Sequence, residues 1–265
     1  MMMRTIYGLI AGTLIALSAV TGTTQASVLE EINERGLVRV AVPQDFPPFG
    51  SVDTSMQPQG YDIDVARYIA NAMDVELELV PVTSANRIPY LQTGKVDLII
   101  SSLGKNPERE EAIDFSNAYA PFFLGVFGTP ETAVSGADDL ADRTVGTTRG
   151  AIEDLQLTEV APSSTTIQRF EDNNTTISAF LSGQVDLIAT GNLVAASISN
   201  RDTSRRPETK FLLKDSPCYV GVPSGDTDIQ EAVNAIIAEG ISSGTFDQLS
   251  QEWFNQSLPA SIGQG

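Results

Sequence analysis

The sequence predicts an α/β protein built from two similar lobes. Two observations carry this. Short apolar runs of strand length alternate with amphipathic runs of helical spacing, and one helix–strand unit occurs twice. "RIPYLQTGKVDLIIS" (87–101) and "TISAFLSGQVDLIAT" (176–190) both read as helix, glycine, a basic or polar residue, Val-Asp-Leu-Ile, then small polar residues, 89 positions apart. Alternating β and α elements imply a parallel sheet with helices on its faces. A duplicated unit implies two such sheets.

The elements follow in order. "LVRVAV" (37–42) is a strand that runs into the Pro-rich turn "PQDFPPFG". "YDIDVARYIANAM" (61–73) sets Ile63, Ala66, Ile69, Ala70 and Met73 at helical spacing. "VELELVPV" alternates as a strand does, "RIPYLQTG" is a short helix ended by Gly94, and "VDLIIS" is a strand again. "DLADRTVGTT" holds a short helix and a strand, and the second copy of the unit follows. "CYVGVP" is a strand, a helix runs from Asp228 to about Glu239, and "SSGTFDQLSQEWF" forms a last helix that packs Phe246, Leu249, Trp253 and Phe254. "NRDTSRRPET" (200–209) reads as a polar surface loop.

Composition narrows the chemistry. Residues 1–26 read as a cleavable secretory signal: Arg4 is a lone positive charge, Ile6 to Val20 is mostly apolar, and Thr24-Gln25-Ala26 supplies small residues at a cleavage site. The run is shorter than the ~20 residues a bilayer core requires. An exported, periplasmic chain is expected. Without Arg4 the 16 basic residues become 15 against 34 acidic ones, a net charge of −19, which argues against nucleic acid and anionic membrane surfaces as partners. Cys218 is the single cysteine and histidine is absent. An intramolecular disulfide, histidine-based catalytic triads and the usual zinc sites are therefore excluded. No cofactor and no metal are expected.

In open α/β sheets, ligands sit beyond the carboxyl ends of the strands. Ser101-Ser102 and Thr190-Gly191-Asn192 lie just past two such ends. If the lobes face each other, these edges line one cleft. "SSLGKNPEREEAIDFS" (101–116) then poses a choice for Arg109 between a solvated charge cluster and a grip on a carboxylate.

Several segments, in this order, resemble the periplasmic solute-binding proteins of polar amino-acid ABC importers, the extracellular solute-binding family 3. "LVRVAVPQDFPPF" is similar to that family's first strand and aromatic turn, and "GYDIDVARYIANAM" to its Gly-aromatic-Asp-x-Asp helix. "RIPYLQTGKVDLIISS" with "PEREEAIDFSNAY" is the most specific part, and "GTFDQLSQEWF" resembles the C-terminal helix. The resemblance covers nearly all of the chain after the signal. It implies the two-lobed periplasmic binding protein fold (type II): two open sheets with helices on both faces, joined by two crossing strands near Phe122–Phe127 and Ser216–Val222. Lobe 1 would comprise residues 27–123 plus 219–265, and lobe 2 residues 124–218.

The resemblance also implies a site. Arg109 matches the arginine that binds the ligand's α-carboxylate, a task suited to the planar guanidinium fork. Ser102 and Gly104 match positions that meet the ligand's amino and carboxylate groups. Phe46 matches the aromatic that packs on ligand side chains, while Ser84 stands where many relatives carry a second ring. Arg87 resembles the arginine of the acidic-amino-acid branch. Ala151 and Ile152 stand where most relatives carry threonines, so their backbone N–H groups are the available donors at a helix N-terminus. Relatives usually place an aspartate near Gly191 for the α-ammonium; here Thr190 and Asn192 are the candidates, and both are neutral. The implied function is capture of a polar amino acid, acidic ones included, by hinge closure and delivery to ABC permease subunits. The binding protein itself is expected to be a monomer. Alternatives are a related small carboxylate without a standard ammonium contact, or a same-fold enzyme resembling cyclohexadienyl dehydratase. Such an enzyme needs an acid in the cleft, and Asp45 and Glu153 are the carboxyl groups that could serve.

Overall fold

A computed structural model describes residues 26–199 and 204–263. The expected signal segment, apart from Ala26, lies outside the described residues, as do residues 200–203 of the expected polar loop; Glu208 and Thr209, expected in that loop, instead begin a strand. The first half runs α1 (Val28–Arg35), β1 (Leu37–Pro43), a small hairpin of β2 (Ser51–Val52) and β3 (Pro58–Gln59), α2 (Tyr61–Ala72), β4 (Glu76–Val82), α3 (Arg87–Gln92), β5 (Leu98–Leu103), α4 (Pro107–Glu110) and β6 (Asp114–Ala120). The chain then crosses into β7 (Phe123–Gly128), a 3₁₀ turn (Ala137–Leu140), β8 (Thr144–Thr148), α5 (Ile152–Val160), β9 (Thr166–Phe170), α6 (Asn173–Leu181), β10 (Leu187–Gly191), α7 (Asn192–Ser199) and β11 (Glu208–Asp215). It returns through β12 (Cys218–Val222) and ends in α8 (Thr227–Ser242) and α9 (Thr245–Phe254).

Two five-stranded sheets result, ordered β4-β1-β5-β12-β6 and β11-β7-β10-β8-β9. The expectation of parallel sheets is corrected in part. β1 runs parallel to β4 and β5, and β8 runs parallel to β9 and β10. β12 is antiparallel to β5 and β6, and β7 is antiparallel to β10 and β11. The reason is topological: strands that leave or enter a sheet at a crossing arrive from the other sheet and run against their neighbours. Ser216 N–H donates to Phe122 O at 2.9 Å, tying the two crossing segments together.

Local chemistry explains the elements. Ser27 and Glu30 form a reciprocal capping box on α1, and Gly36 ends that helix in the left-handed conformation (φ 67°). β5 is buried at all six positions, as befits a strand with neighbours on both edges and layers on both faces. Ile63, Ala66, Ile69 and Ala70 of α2 are buried, while Met73 packs at the core's edge. The last helix buries Phe246 and Phe254, and Trp253 donates through Nε1 to Asp64 Oδ2 at 2.8 Å. Cys218 is a buried free thiol.

The duplicated Val-Asp-Leu-Ile motif has two structural outcomes. Asp97 is buried and accepts from Arg35 Nη2 and Arg39 Nη2, each at 2.6 Å, and from Arg39 N–H at 2.8 Å. Asp186 meets Arg205 Nη2 at 3.0 Å with its own side chain 75% exposed. Removing a buried ion-pair partner strands its counter-charges, whereas an exposed pair contributes little. Asp97→Ala should therefore cost about 2 kcal/mol or more, and Asp186→Ala less than about 1 kcal/mol, measured by urea unfolding.

Candidate functional site

The site forms where the carboxyl ends of both sheets meet. β5 runs through Leu103, so Ser101 and Ser102 end the strand rather than follow it. Ser102 adopts φ 43°, a left-handed conformation that L side chains rarely take. Asp62 holds it there: Oδ2 accepts Ser102 N–H at 2.7 Å, and Oδ1 accepts the Tyr119 hydroxyl at 2.7 Å. Asp62 comes from the "GYDID" stretch at the start of α2. Burial raises its carboxyl to about 7, outweighing the two donors and the nearby Arg87 charge.

Two arginines are buried beside this strand end. Arg109 sits in α4, whose Asn106 cap accepts Arg109 N–H at 2.9 Å. Its Nη1 donates to Gly104 O at 2.7 Å, and its Nη2 reaches the other lobe, donating to Gly150 O at 2.9 Å. Arg87 opens α3 and donates through Nη1 to Ser101 O. Its Nε is buried without a partner, the only such side-chain atom among the described residues. Arg109 and Arg87 are 5% and 3% exposed, so the solvated charge cluster is not what the structure contains. Loss of water, followed by the like charge of Arg87, lowers the Arg109 guanidinium to about 9; Glu153 and Glu108 act the other way. Burial lowers Arg87 as well.

The opposing wall comes from the β7–β11 lobe. Ala151 and Ile152 are buried at the start of α5, whose N-cap makes no side-chain hydrogen bond. Ala151 N–H is occupied by Thr148 O at 3.1 Å. A Cβ at Gly104 would meet Ser216 Oγ at 2.5 Å and the Ile152 side chain at 3.3 Å. Thr190 is buried on β10. The side chain of Asn192, expected as an ammonium acceptor, is otherwise engaged: its Oδ1 accepts Phe123 N–H at 3.0 Å, linking α7 to a crossing strand. At Gly191 a Cβ would lie 2.0 Å from the Phe122 ring, which occupies the space a side chain would need. Phe46 is buried against Phe49 and Phe122, with ring centroids 6.0 and 6.1 Å away. Arg149 turns outward to Glu171.

Glu153 and Asp45 were expected only as acids available to a same-fold enzyme; what each one meets, and the cavity beside Arg109, were not evident from sequence. Glu153, in the first turn of α5, is buried, and its charge acts on both Arg87 and Arg109. Burial raises its carboxyl, opposed by its own backbone N–H and by both arginines. An acid in a first helical turn ordinarily reads as a dipole partner, and nothing local marks it as facing a cleft. Asp45 caps α6 from the opposite lobe, accepting Asn173 N–H at 2.7 Å and Asn173 Nδ2 at 3.2 Å. A cavity of about 320 Å³ flanks Arg109, lined by Ser84, Ala85, Ile88, Gly150 and Leu155 among others.

The profile described as bacterial extracellular solute-binding proteins, family 3, matches residues 38–256. The L-cystine-binding protein TcyJ of Escherichia coli (strain K12) is 25% identical over 257 residues, covering 95% of both chains. The crystal structure of the ancestral amino acid-binding protein AncCDT-1, a precursor of cyclohexadienyl dehydratase, is 30% identical, with a TM-score of 0.78 over 86% of this chain and all of its own. The cysteine-binding protein from Campylobacter jejuni aligns with a TM-score of 0.81 at 26% identity, over 89% of this chain and 96% of its own.

Asp62 generates a pH test. Its carboxyl is raised in the folded state, so the folded chain holds a proton that the unfolded chain releases near pH 4. Stability from this group is therefore present below pH 4 and is lost as pH rises toward about 7. The stability of the natural protein minus that of Asp62→Asn should fall across pH 4–7, by up to about 1.4 kcal/mol per pH unit, as read from urea unfolding at each pH. Asp62→Ala, which strands Ser102 N–H and the Tyr119 hydroxyl, should cost about 2–4 kcal/mol at neutral pH.

Proposed function

The chain belongs to the bacterial extracellular solute-binding proteins of family 3, and from that premise we propose that it is the periplasmic binding component of an ABC importer for an acidic amino acid. The observation that carries the ligand class is the pair of buried arginines on one wall, one with an unsatisfied Nε. A buried guanidinium that lacks a hydrogen-bond partner is costly unless something supplies one. A ligand with two carboxylates supplies two. The α-carboxylate would take Arg109, and the distal carboxylate Arg87, where a planar fork can donate in parallel. Ser102, Gly104 and the start of α5 at Ala151 and Ile152 would frame the ligand, with Phe46 packing on its aliphatic part and Thr190 on the far wall. We place Asn192 at the hinge, as support rather than as a ligand contact.

Closure follows from the same geometry. The two lobes, 27–123 with 219–265 and 124–218, would turn about the crossing segments. The ligand favours the closed form to the extent that it contacts that form better. Arg109 to Gly150 and Asp45 to Asn173 are the bonds such a closure would make. The closed pair of lobes is then the surface offered to the permease. Of the two acids a same-fold enzyme could use, Asp45 is engaged by Asn173; Glu153 is the remaining one, and transport is favoured by the family rather than by its absence.

Thermal-shift and calorimetric titration of the exported form will test this. L-Glutamate or L-aspartate at ~100 times its dissociation constant should add ~2.7 kcal/mol of stability. Arg109→Ala should abolish binding, and Arg87→Gln should weaken the acidic ligands at least tenfold while affecting L-glutamine less. Binding of L-cystine, L-arginine or L-glutamine with no response to either acid would overturn the acidic reading. Prephenate should not be turned over.

A further inference from the structure

Five acidic side chains are buried among the described residues, namely Asp45, Asp62, Asp97, Glu153 and Asp154. Four are occupied by the protein. Asp45 accepts from Asn173, Asp62 from Ser102 and Tyr119, and Asp97 from Arg35 and Arg39. Asp154 accepts from Arg169 Nε at 2.7 Å and from Gly150 N–H at 3.1 Å. Glu153 is the exception. Its one hydrogen bond comes from its own backbone N–H. Although its charge acts on Arg87 and Arg109, the ion pairs found within 4.0 Å among the described residues all lie elsewhere.

Opposite charges in a dry interior attract strongly, and contact would lower their energy. Here they remain apart on facing walls. The contacts of Arg109 with Gly150 and of Asp45 with Asn173 set the separation of the lobes. On the first wall, Arg87 Nε has no partner. On the second, Glu153 has no donor from another residue. The two buried groups of opposite sign lie close enough for their charges to act on each other.

We propose that Glu153 accepts the ammonium group of the ligand, so that the cleft selects a carboxylate ligand carrying an amine. The proposal rests on the amino-acid reading above and adds the group that recognises nitrogen. An ammonium has donors only and an ionised carboxylate acceptors only, so the two are complementary. Two wall cations and one wall anion match a ligand with two carboxylates and one ammonium. The neighbouring positions offer no second carboxylate: Thr190 and Asn192 are neutral, Asn192 Oδ1 already accepts Phe123 N–H, and the Phe122 ring fills the space at Gly191. Buried at the start of α5, Glu153 also belongs to the lobe that must move, so contact with it would couple amine recognition to closure.

Calorimetric titration with matched probes tests the proposal. L-Glutamate is compared with glutarate, which keeps both carboxylates and lacks the ammonium, and L-glutamine with glutaramate. The natural protein should bind L-glutamate at least about 30-fold more tightly than glutarate. Glu153→Gln should lose at least about 30-fold for L-glutamate and less than about threefold for glutarate, with circular dichroism showing that the variant is folded. Glu153→Asp, which keeps the charge, should retain part of the preference. Equal affinity of the natural protein for L-glutamate and glutarate overturns the proposal whatever the variants do, and leaves the two-arginine reading intact. Equal losses for both probes in Glu153→Gln overturn it too, because the residue then only supports the wall. If L-glutamate and glutarate both fail to bind while L-glutamine binds more tightly than glutaramate, the role of Glu153 stands and the acidic reading falls. If none of the four probes binds, both fall.

Discussion

Two guanidinium groups kept dry beside each other constrain much of the structure around them. Like charges in a poorly polarisable interior repel, and that repulsion helps bring Arg109 down to about 9. They are tolerated because carbonyl oxygens are aimed at them: Ser101 O for Arg87, and Gly104 O and Gly150 O for Arg109. Two of those carbonyls follow from the shape of one strand end. That shape depends on Ser102 in a left-handed conformation, held by Asp62, which Tyr119 in turn engages. A motif at the start of one helix thus shapes the edge of a sheet some forty residues on, and that edge receives both arginines.

The site's electrostatics run against those of the whole chain. The sequence carries a net charge of −18, yet the cleft concentrates cations. At physiological ionic strength, charges farther than ~8 Å are largely screened at the surface, whereas groups inside the closed interface are not. Glu108 and Glu110, next to Arg109 in sequence, are exposed on the outside of α4, while its guanidinium turns inward. Local geometry rather than composition decides which sign of charge the cleft presents.

Much of the fold was legible because burial leaves a period. Ile63, Ala66, Ile69 and Ala70 mark one helix face, and the repeated Val-Asp-Leu-Ile marks two strands. Direction is not encoded in that period, which is why β12 reads as a strand, and β7 as a crossing strand implied by the resemblance, without either revealing that it runs against its neighbours. α7 was missed because Asn192 follows β10 with no intervening turn residue. Arg109 could be assigned from its motif; Glu153 and Asp45 could be named as available acids, but not what each of them meets. Asp45 meets a residue 128 positions away, and no local pattern announces such a contact. Asn192 shows a contact of the same kind: its amide oxygen accepts the Phe123 N–H, 69 positions away. Even identical letters diverge, since Asp97 is enclosed by two arginines and Asp186 is bathed in water.

The bond between Ser216 and Phe122 has a mechanical consequence. Two independent tethers would let the halves of the molecule shear, twist and tilt. Tethers laced together at their midpoints, with the Phe122 ring lodged against the Gly191 backbone, remove most of those freedoms. In the closure proposed above, what remains would be close to a door on one pin, its swing set by the pin and its travel ending where the two faces meet.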